Sequence, residues 1–222
     1  MAPSGDLHTE DLPSTVELHP SNTTESRAMS LVRITSDTHL GHELVSGLRG
    51  FESIEAHDAA ILEALADGAD SDTLTWFLGD VAMGDKMRGL RRLQEVPGHK
   101  RLILGNHDPI HGGLGKSRDW TPWLKTFEQI HMHAKVKLGG HKFLLSHFPY
   151  SGDHTFNDRH EQWRLPDMGR TLLHGHTHGT ERVTVLPSGT VQVHVGLDAW
   201  NLKPTTPEEI LAELRASGVE PA

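Results

Sequence analysis

The 222-residue chain contains no cysteine. Disulfide bonds, a thiolate nucleophile and zinc sites built from cysteine are therefore excluded. Any bound metal ion must take oxygen and imidazole ligands, which suit manganese, iron, zinc, cobalt and nickel alike. Imidazole is abundant, because the chain has 18 histidines, many of them scattered singly.

Long apolar runs and an excess of positive charge are also missing. No stretch approaches the run of about 18 apolar residues that a membrane-spanning helix requires, and residues 1–14 lack the features of a secretory signal. We therefore expect a soluble, cytoplasmic protein.

The formal net charge of −9 argues against a broad nucleic-acid-binding face, since Lys and Arg contacts to phosphate dominate such binding. A small substrate is favoured over a long polyanion.

The length of the chain fits one α/β domain. Residues 1–28 are rich in Pro, Ser, Thr and acidic residues and show no hydrophobic period, which predicts a disordered N-terminal tail. Residues 29–222 are expected to form the domain.

Sequence patterns within the domain predict three helices and a β-hairpin. Ser53 predicts the start of a helix that ends near Gly68, and a shorter helix is expected over residues 86–93. Residues 183–195 predict a β-hairpin. Thr206 and Glu209 form a capping-box pattern that predicts a final helix.

Five short apolar segments run into polar residues that bind metals well. The segments cover residues 31–34, 74–78, 102–104, 143–145 and 172–173. Each predicts a buried strand that ends in a polar loop. The polar residues that follow are Asp37, His39, Asp80, Asn106, His107, His147, His174, His176 and His178. Ligands gather beyond the carboxyl ends of strands in open α/β sheets, so we expect these residues to share one crevice.

This set of side chains suits two divalent cations. Two such ions repel each other strongly, so the site needs an anionic ligand that touches both, and Asp80 is the natural bridge. Asp37 adds a second negative charge, while Asn106 and four imidazoles complete the ligands. With a bridging hydroxide the site keeps a net positive charge, which suits a phosphate ester. Ions ~3.5–4 Å apart lower the pKa of a bridging water and polarise phosphoryl oxygens.

His107 is the candidate catalytic residue. It directly follows Asn106, so its side chain should project towards the substrate, where it can protonate the leaving oxygen or stabilise the transition state. The alternative is that His107 orients Asp108 or a water molecule.

Five motifs, in this order, resemble those of the calcineurin-like metallophosphoesterases. They are Asp37-Thr38-His39, Gly79-Asp80, Gly105-Asn106-His107-Asp108, Ser146-His147 and Gly175-His176-Thr177-His178. The longer strings at residues 36–42 and 195–201 are similar to a small bacterial and phage branch of that superfamily.

The resemblance implies an α/β fold, an αββα four-layer sandwich, with a metal pair at the strand ends. By motif, the first metal would take Asp37, His39, Asp80 and His178. The second would take Asp80, Asn106, His147 and His176. Family members attack phosphorus with a metal-bridging hydroxide and form no phosphoenzyme.

The intact His107 implies a preference for phosphodiesters, because relatives that replace it lose diesterase activity relative to monoesterase activity. We therefore predict a phosphodiesterase that uses two divalent ions, manganese first, on small diesters such as cyclic nucleotides. A phosphomonoesterase acting on proteins or nucleotides would have the same ligands. A nuclease is disfavoured by the net charge, and a non-catalytic metal-bound scaffold is disfavoured by the complete motifs.

Other polar and aromatic residues have weaker signals. Asp58 is expected to face solvent, and Asp198 and Trp200 are expected to pack in the core. His42 and His174 either support the ligands or contact substrate.

The loops at residues 109–133 and 150–166 should rim the site and shape substrate choice. Within these loops, Trp120 and Trp123 are predicted to anchor a helix rather than to stack on a base. Five further residues can hold a phosphate group of the substrate or simply be solvated: Lys116, Arg118, Tyr150, His154 and Arg159.

Overall fold

The computed structural model describes residues 31–221 and contains two β-sheets that enclose an apolar core. The first sheet is parallel, with its strands in chain order: β1 (Val32–Thr35), β2 (Leu74–Phe77), β3 (His99–Ile103) and β4 (Gln129–His131). Its register places Val32 beside Leu74 and Leu74 beside His99. The carboxyl ends of these strands therefore lie at one edge.

The second sheet is mixed and has the order β5-β6-β7-β9-β8. Its strands are β5 (His133–Leu138), β6 (His141–Ser146), β7 (Leu172–His174), β8 (Val183–Val185) and β9 (Val191–His194). β6, β7 and β9 are parallel, whereas β5 and β8 pair antiparallel at the edges. A bridge between Ser36 and Gly196 joins the segment after β1 to the segment after β9. The carboxyl ends of the parallel strands in the two sheets therefore lie next to each other.

Five α-helices complete the described fold. They are α1 (Glu43–Leu48), α2 (Ile54–Ala66), α3 (Lys86–Gln94), α4 (Thr121–Thr126) and α5 (Pro207–Ala216). Ser53 caps α2 by accepting from the backbone N–H of Ala56, and Thr206 forms the predicted capping box with Glu209 at α5. The predictions of α2, α3, α5 and the β8–β9 hairpin are confirmed.

Two apolar cores hold the layers together. The core between the sheets includes Ile34, Leu78, Phe143, Leu145, Leu173 and Val193, with Ile210 and Leu214 from α5. The core between the first sheet and helices α2 to α4 includes Ile61, Leu65, Phe77, Leu90, Leu93, Leu102 and Trp123. The first sheet is covered on both faces, because Trp76 and Ile103 belong to the first core while Phe77 and Leu102 belong to the second. The predicted α/β class and calcineurin-like type of fold are confirmed.

Some expectations need correction or stay open. Residues 109–133 were expected to form a loop and a helix, but they also supply β4. Trp123 anchors α4 in the core as predicted, whereas Trp120 is partly exposed. The tail predicted over residues 1–28 lies outside the described residues. Within residues 31–221, no helix is both long and apolar enough to cross a membrane.

Candidate metal centre

All seven predicted ligands lie in loops that follow strands and meet at the shared carboxyl edge. Asp37 and His39 follow β1, Asp80 follows β2, Asn106 follows β3, His147 follows β6, and His176 and His178 follow β7. The structure groups Asp37 with His39 and His178, and it groups Asp37 with Asp80 and His147. Ligand atoms within each group lie within 4.8 Å of one another.

Asp80 lies between the two halves of the site. Its Oδ2 is 3.8 Å from His39 Nε2 and 3.5 Å from His147 Nε2. On one side, Asp37 Oδ1 is 3.9 Å from the Nε2 atoms of both His39 and His178. On the other side, Asn106 Oδ1 is 3.0 Å from His147 Nε2. This is the position expected for a carboxylate that bridges two ions.

His147 and His178 have assignable tautomers, because each donates to a group that only accepts. Nδ1 of His147 donates to the carbonyl oxygen of Leu78 at 2.7 Å. Nδ1 of His178 donates to a carboxylate oxygen of Asp198 at 3.0 Å. In the neutral imidazole the second nitrogen then carries the lone pair. Both rings therefore present Nε2 as the ligand atom.

Five of the seven residues have a left-handed backbone conformation. The φ angles are 58° at Asp37, 47° at His39, 54° at Asp80, 72° at His176 and 52° at His178. Non-glycine residues adopt this region infrequently, although Asp, Asn and His are enriched there. Such conformations persist where the surrounding structure holds them, and they are concentrated at functional sites.

Two motif glycines allow close backbone approach beside these residues. A Cβ at Gly79 would lie 2.6 Å from the Nδ1 atom of His147 and 2.6 Å from the backbone nitrogen of Gly105. A Cβ at Gly175 would collide with the side chain of Ser36 and lie 2.5 Å from Asp37 Oδ2. Glycine is therefore required where the loops cross.

The electrostatics of the buried carboxylates fit a cation site. Burial raises the pKa of Asp80 against the opposing charge of His147, and the neighbouring charges of Asp108 and Asp37 add to the rise. Burial also acts to raise the pKa of Asp37, but the surrounding imidazoles, with His178 first, lower it below its usual range. Among the described residues, Oδ1 of the fully buried Asp37 has no hydrogen-bond partner. A buried carboxylate oxygen that faces imidazole nitrogens without a hydrogen bond fits a metal ligand.

A family model described as the calcineurin-like phosphoesterase superfamily domain matches residues 29–208. The chain belongs to the calcineurin-like phosphoesterase superfamily. Membership supports metal-dependent hydrolysis of phosphoesters, and the superfamily uses divalent metal ions.

Two relatives are phage proteins. The Gene 66 protein of Mycobacterium phage L5 is 40% identical over 188 residues, which cover 78% of this chain and 88% of the phage protein. The Gene 66 protein of Mycobacterium phage D29 is 39% identical over 182 residues, which cover 78% and 90%. A crystal structure of a protein of unknown function from Aquifex aeolicus has a TM-score of 0.61 and 24% identity, covering 82% of this chain and 97% of that protein. That likeness concerns the fold alone.

His107 lies at the opening of the phosphoesterase site. Its side chain is 41% exposed, and its Nε2 is 4.0 Å from Asp80 Oδ2. Its backbone N–H donates to Asp80 Oδ1 at 2.8 Å. Burial, followed by the charge of Lys86, lowers the pKa of His107 to about 4. The ring is therefore neutral near pH 7, and it can donate one hydrogen bond from one nitrogen and accept one at the other.

Asp108 is held by the backbone rather than by the His107 ring. Its carboxylate accepts from the backbone N–H groups of Asp80, Val81 and Gly105 at 3.1, 3.1 and 2.8 Å. This joins the loops after β2 and β3. The alternative that His107 serves to orient Asp108 therefore has no support in these contacts.

Asp198 was expected to pack in the core, and that prediction is wrong. The carboxylate accepts a hydrogen bond from His178 Nδ1 and pairs with Arg49, which also donates to the backbone oxygen of Asp37 at 2.8 Å. Asp198 thus orients a predicted ligand. Trp200 is buried in the core as predicted.

Asp58 was expected to face solvent, but it is buried. It accepts from the backbone N–H of Gly41 at 2.9 Å and lies 3.1 Å from His57 Nδ1 and 3.4 Å from Arg92. The carboxylate therefore braces the loop that follows the first motif. Gly41 lies 17 positions before Asp58 and outside α2, so the apolar period of that helix carried no signal for this contact.

His42 and His174 separate into different environments. The His174 ring is buried, and its Nδ1 donates to the backbone oxygen of Gly175 at 2.8 Å, so it supports the motif loop. The His42 ring lies 5.2 Å from the His39 ring and 6.5 Å from the His107 ring. His42 is partly exposed and therefore remains the candidate for substrate contact.

The loop at residues 150–166 reaches His176 through Asp153, His154 and His160, and the His160 ring lies 5.7 Å from the His176 ring. His154 lies with its ring 5.7 Å from that of His176, and Arg159 donates towards His154. Asp153, which the sequence interpretation did not single out, contacts His176 directly. Tyr150 instead donates its hydroxyl to the backbone oxygen of Arg170. Lys116 and Arg118 are exposed.

Proposed function

We propose that this protein is a two-metal phosphodiesterase that acts on small diesters such as cyclic nucleotides, with manganese as the first candidate ion. One metal position takes Asp37, His39, Asp80 and His178. The other takes Asp80, Asn106, His147 and His176. The observation that carries this proposal is the position of Asp80 between the two halves, with Oδ2 3.8 Å from His39 Nε2 and 3.5 Å from His147 Nε2.

The charge of the site supports phosphoester chemistry. When bound, a pair of divalent ions lowers the pKa of water and polarises the phosphoryl group. Asp37 and Asp80 supply only two negative charges, while Asn106 and the imidazoles are neutral ligands. The protein therefore leaves the site able to attract a phosphate anion. Cysteine is absent, which excludes a thiolate nucleophile.

His107 supports a diesterase role. The ring is the exposed member of the cluster, at 41%, and it is fixed near Asp80 through its backbone N–H. From this position the neutral ring can donate a hydrogen bond to the leaving oxygen. Such donation stabilises the negative charge that develops there, and the family resemblance associates an intact His107 with cleavage of diesters.

A cleft beside His42 adjoins the proposed metal site, although its lining includes none of the seven proposed ligands. Its volume is about 500 Å³, within the range of small-molecule sites. The cleft is lined by Glu43, Glu55, Asp58 and Asp85, with Arg88 as a basic partner of Glu55. These carboxylates offer no contact to phosphate groups, so this surface has little to hold the backbone of a long polyanion, which disfavours a nuclease.

The proposal is tested by comparing hydrolysis of bis-p-nitrophenyl phosphate with hydrolysis of p-nitrophenyl phosphate. Chelator-stripped protein is assayed before and after addition of manganese, with Asp80→Ala as the site variant. Asp72→Ala, which removes an exposed carboxylate before β2, is the matched control. We expect metal-dependent hydrolysis that favours the diester, is lost in Asp80→Ala and is kept in Asp72→Ala.

Other results would change the proposal in defined ways. Faster cleavage of the monoester would replace the diesterase assignment with a phosphomonoesterase. Normal metal content with no hydrolysis of either ester would favour a non-catalytic scaffold. Activity in Asp80→Ala would contradict the bridging role.

A further inference from the structure

His176 differs from the other predicted imidazole ligands in how its ring is held. Its Nε2 lies 3.1 Å from Asp153 Oδ2, and both side chains are almost fully buried, at 1% and 0% exposed. Its backbone N–H donates to Asp37 Oδ2 at 3.0 Å. Because a carboxylate only accepts, the proton of the His176 ring is on Nε2.

Asp153 is itself fixed by two arginines. Arg159 donates from Nη2 to Oδ1 at 2.9 Å and from Nε to Oδ2 at 3.2 Å. Arg164, which is 5% exposed, has its Nη2 3.9 Å from Oδ2 and also donates to the backbone oxygen of Gly152 at 3.1 Å. Burial acts to raise the pKa of Asp153, but the Arg159 and His176 hydrogen bonds hold it below its usual range. The carboxylate is therefore an ionised and immobile acceptor.

An imidazole binds a metal through one nitrogen while the other donates to an acceptor that fixes the ring. His147 and His178 donate from Nδ1 and present Nε2. His176 donates from Nε2, so its available lone pair is on Nδ1. We propose that Asp153 is a positioning residue that presents Nδ1 of His176 to the second metal ion and ties the loop at residues 150–166 to the metal centre. This inference rests on the proposed two-metal site.

A different role for Asp153 is as a metal ligand in its own right. Asp153, His154 and His176 offer ligand atoms within 4.8 Å of one another. However, the Arg159 guanidinium already donates to Asp153 and lies 2.8 Å from His154 Nε2. A metal ion held by these three residues would meet that fixed positive charge at close range. The geometry therefore favours positioning over direct ligation.

The first test measures manganese binding to chelator-stripped protein by calorimetry. Asp153→Asn is compared with Asp72→Asn, a matched control that makes the same substitution at an exposed carboxylate before β2. We expect two bound ions in each protein, with one ion weakened about 10- to 100-fold in Asp153→Asn alone.

The second test reads the His176 tautomer by nitrogen-15 NMR of the metal-free protein, with the signal assigned from its loss in His176→Gln. We expect a single Nε2–H tautomer in the wild type and in Asp72→Asn, and a mixture in Asp153→Asn. Restoration by Asp153→Glu would support the role further. Unfolding midpoints check that each variant is folded.

Two results would overturn the inference. One is wild-type manganese affinity together with an unchanged tautomer in Asp153→Asn. The other is three bound ions in the wild type and two in Asp153→Asn, which would make Asp153 a ligand. Neither readout needs turnover, so inactivity towards both aryl esters leaves this inference standing. Failure of the wild type to bind metal would instead remove the proposed function.

Discussion

Arg49 and Asp198 form a two-pronged ion pair, with Nε–Oδ1 and Nη2–Oδ2 distances both of 2.8 Å. The Arg49 side chain is 3% exposed, and it also donates to the backbone oxygen of Asp37. Asp198 in turn accepts from His178. One ion pair therefore links predicted ligands that follow strands in different sheets.

Arg49→Ala is expected to lower the free energy of unfolding by about 3 kcal/mol or more, because it leaves a largely buried carboxylate without its partner. The control is Arg88→Ala. Arg88 and Glu55 are 50% and 65% exposed, so loss of that pair should cost no more than about 1 kcal/mol. Urea unfolding of the two variants measures the difference, and equal losses would contradict the structural role of Arg49.

His107→Ala should keep both metal ions and impair cleavage of the diester most. A hydrogen-bond donor aimed at developing negative charge typically contributes about 10²- to 10³-fold in rate. Parallel kcat/KM measurements on the aryl diester and monoester test this, with metal content determined on the same samples. An unchanged ratio of the two rates would remove His107 from the proposed role.

Asn106→Ala should weaken the second metal ion while leaving the fold largely intact. Asn106 is partly exposed, and its Oδ1 lies 3.0 Å from His147 Nε2 at the edge of the site. We expect lower manganese occupancy at fixed metal concentration and a smaller change in unfolding midpoint. Full occupancy of both positions in the variant would contradict the ligand assignment.

Gly79→Ala should destabilise the protein more than Gly140→Ala does. The two glycines have similar φ angles, 92° and 89°, so each alanine meets similar backbone strain of about 1–2 kcal/mol. Only at Gly79 would the new Cβ also collide with Gly105 and His147, since Gly140 has open space around it. Denaturant unfolding of both variants isolates the collision, and equal stability losses would show that the loops separate at little cost.

The elements that the sequence predicts well are those with a local pattern. Apolar segments that end in Asp, Asn or His predicted β1, β2, β3, β6 and β7, and the capping residues predicted α2 and α5. α1 was not predicted, because its residues Leu44 and Leu48 are exposed and give no buried apolar period. β4 has the sequence Gln129-Ile130-His131, which is too short and polar to indicate a strand.

In the candidate site, too, residues with a local sequence pattern were predicted and residues without one were missed. The motif residues converge as expected because strand order brings their loops to one edge. Asp58, Asp153 and Asp198 were missed as supporting residues, since each acts on a loop or ring that is distant in sequence. Asp198, for example, acts through Arg49, which is 149 positions away. Such partners depend on tertiary contacts that no local period records.

The left-handed conformations of Asp37, His39, Asp80, His176 and His178 bear on when the metal site is organised. Each such conformation costs roughly 1–3 kcal/mol, and protein contacts help to maintain it, such as the backbone hydrogen bonds from Asp37 N–H to Gly79 O and from His39 N–H to Asp80 O, both 3.0 Å. Contacts formed on folding therefore offset part of the cost of organising the site. Stripping the ions should leave a native protein rather than an unfolded one, in contrast to small domains whose folding is coupled to metal binding. One metal ion should then exchange reversibly for another without unfolding of the protein.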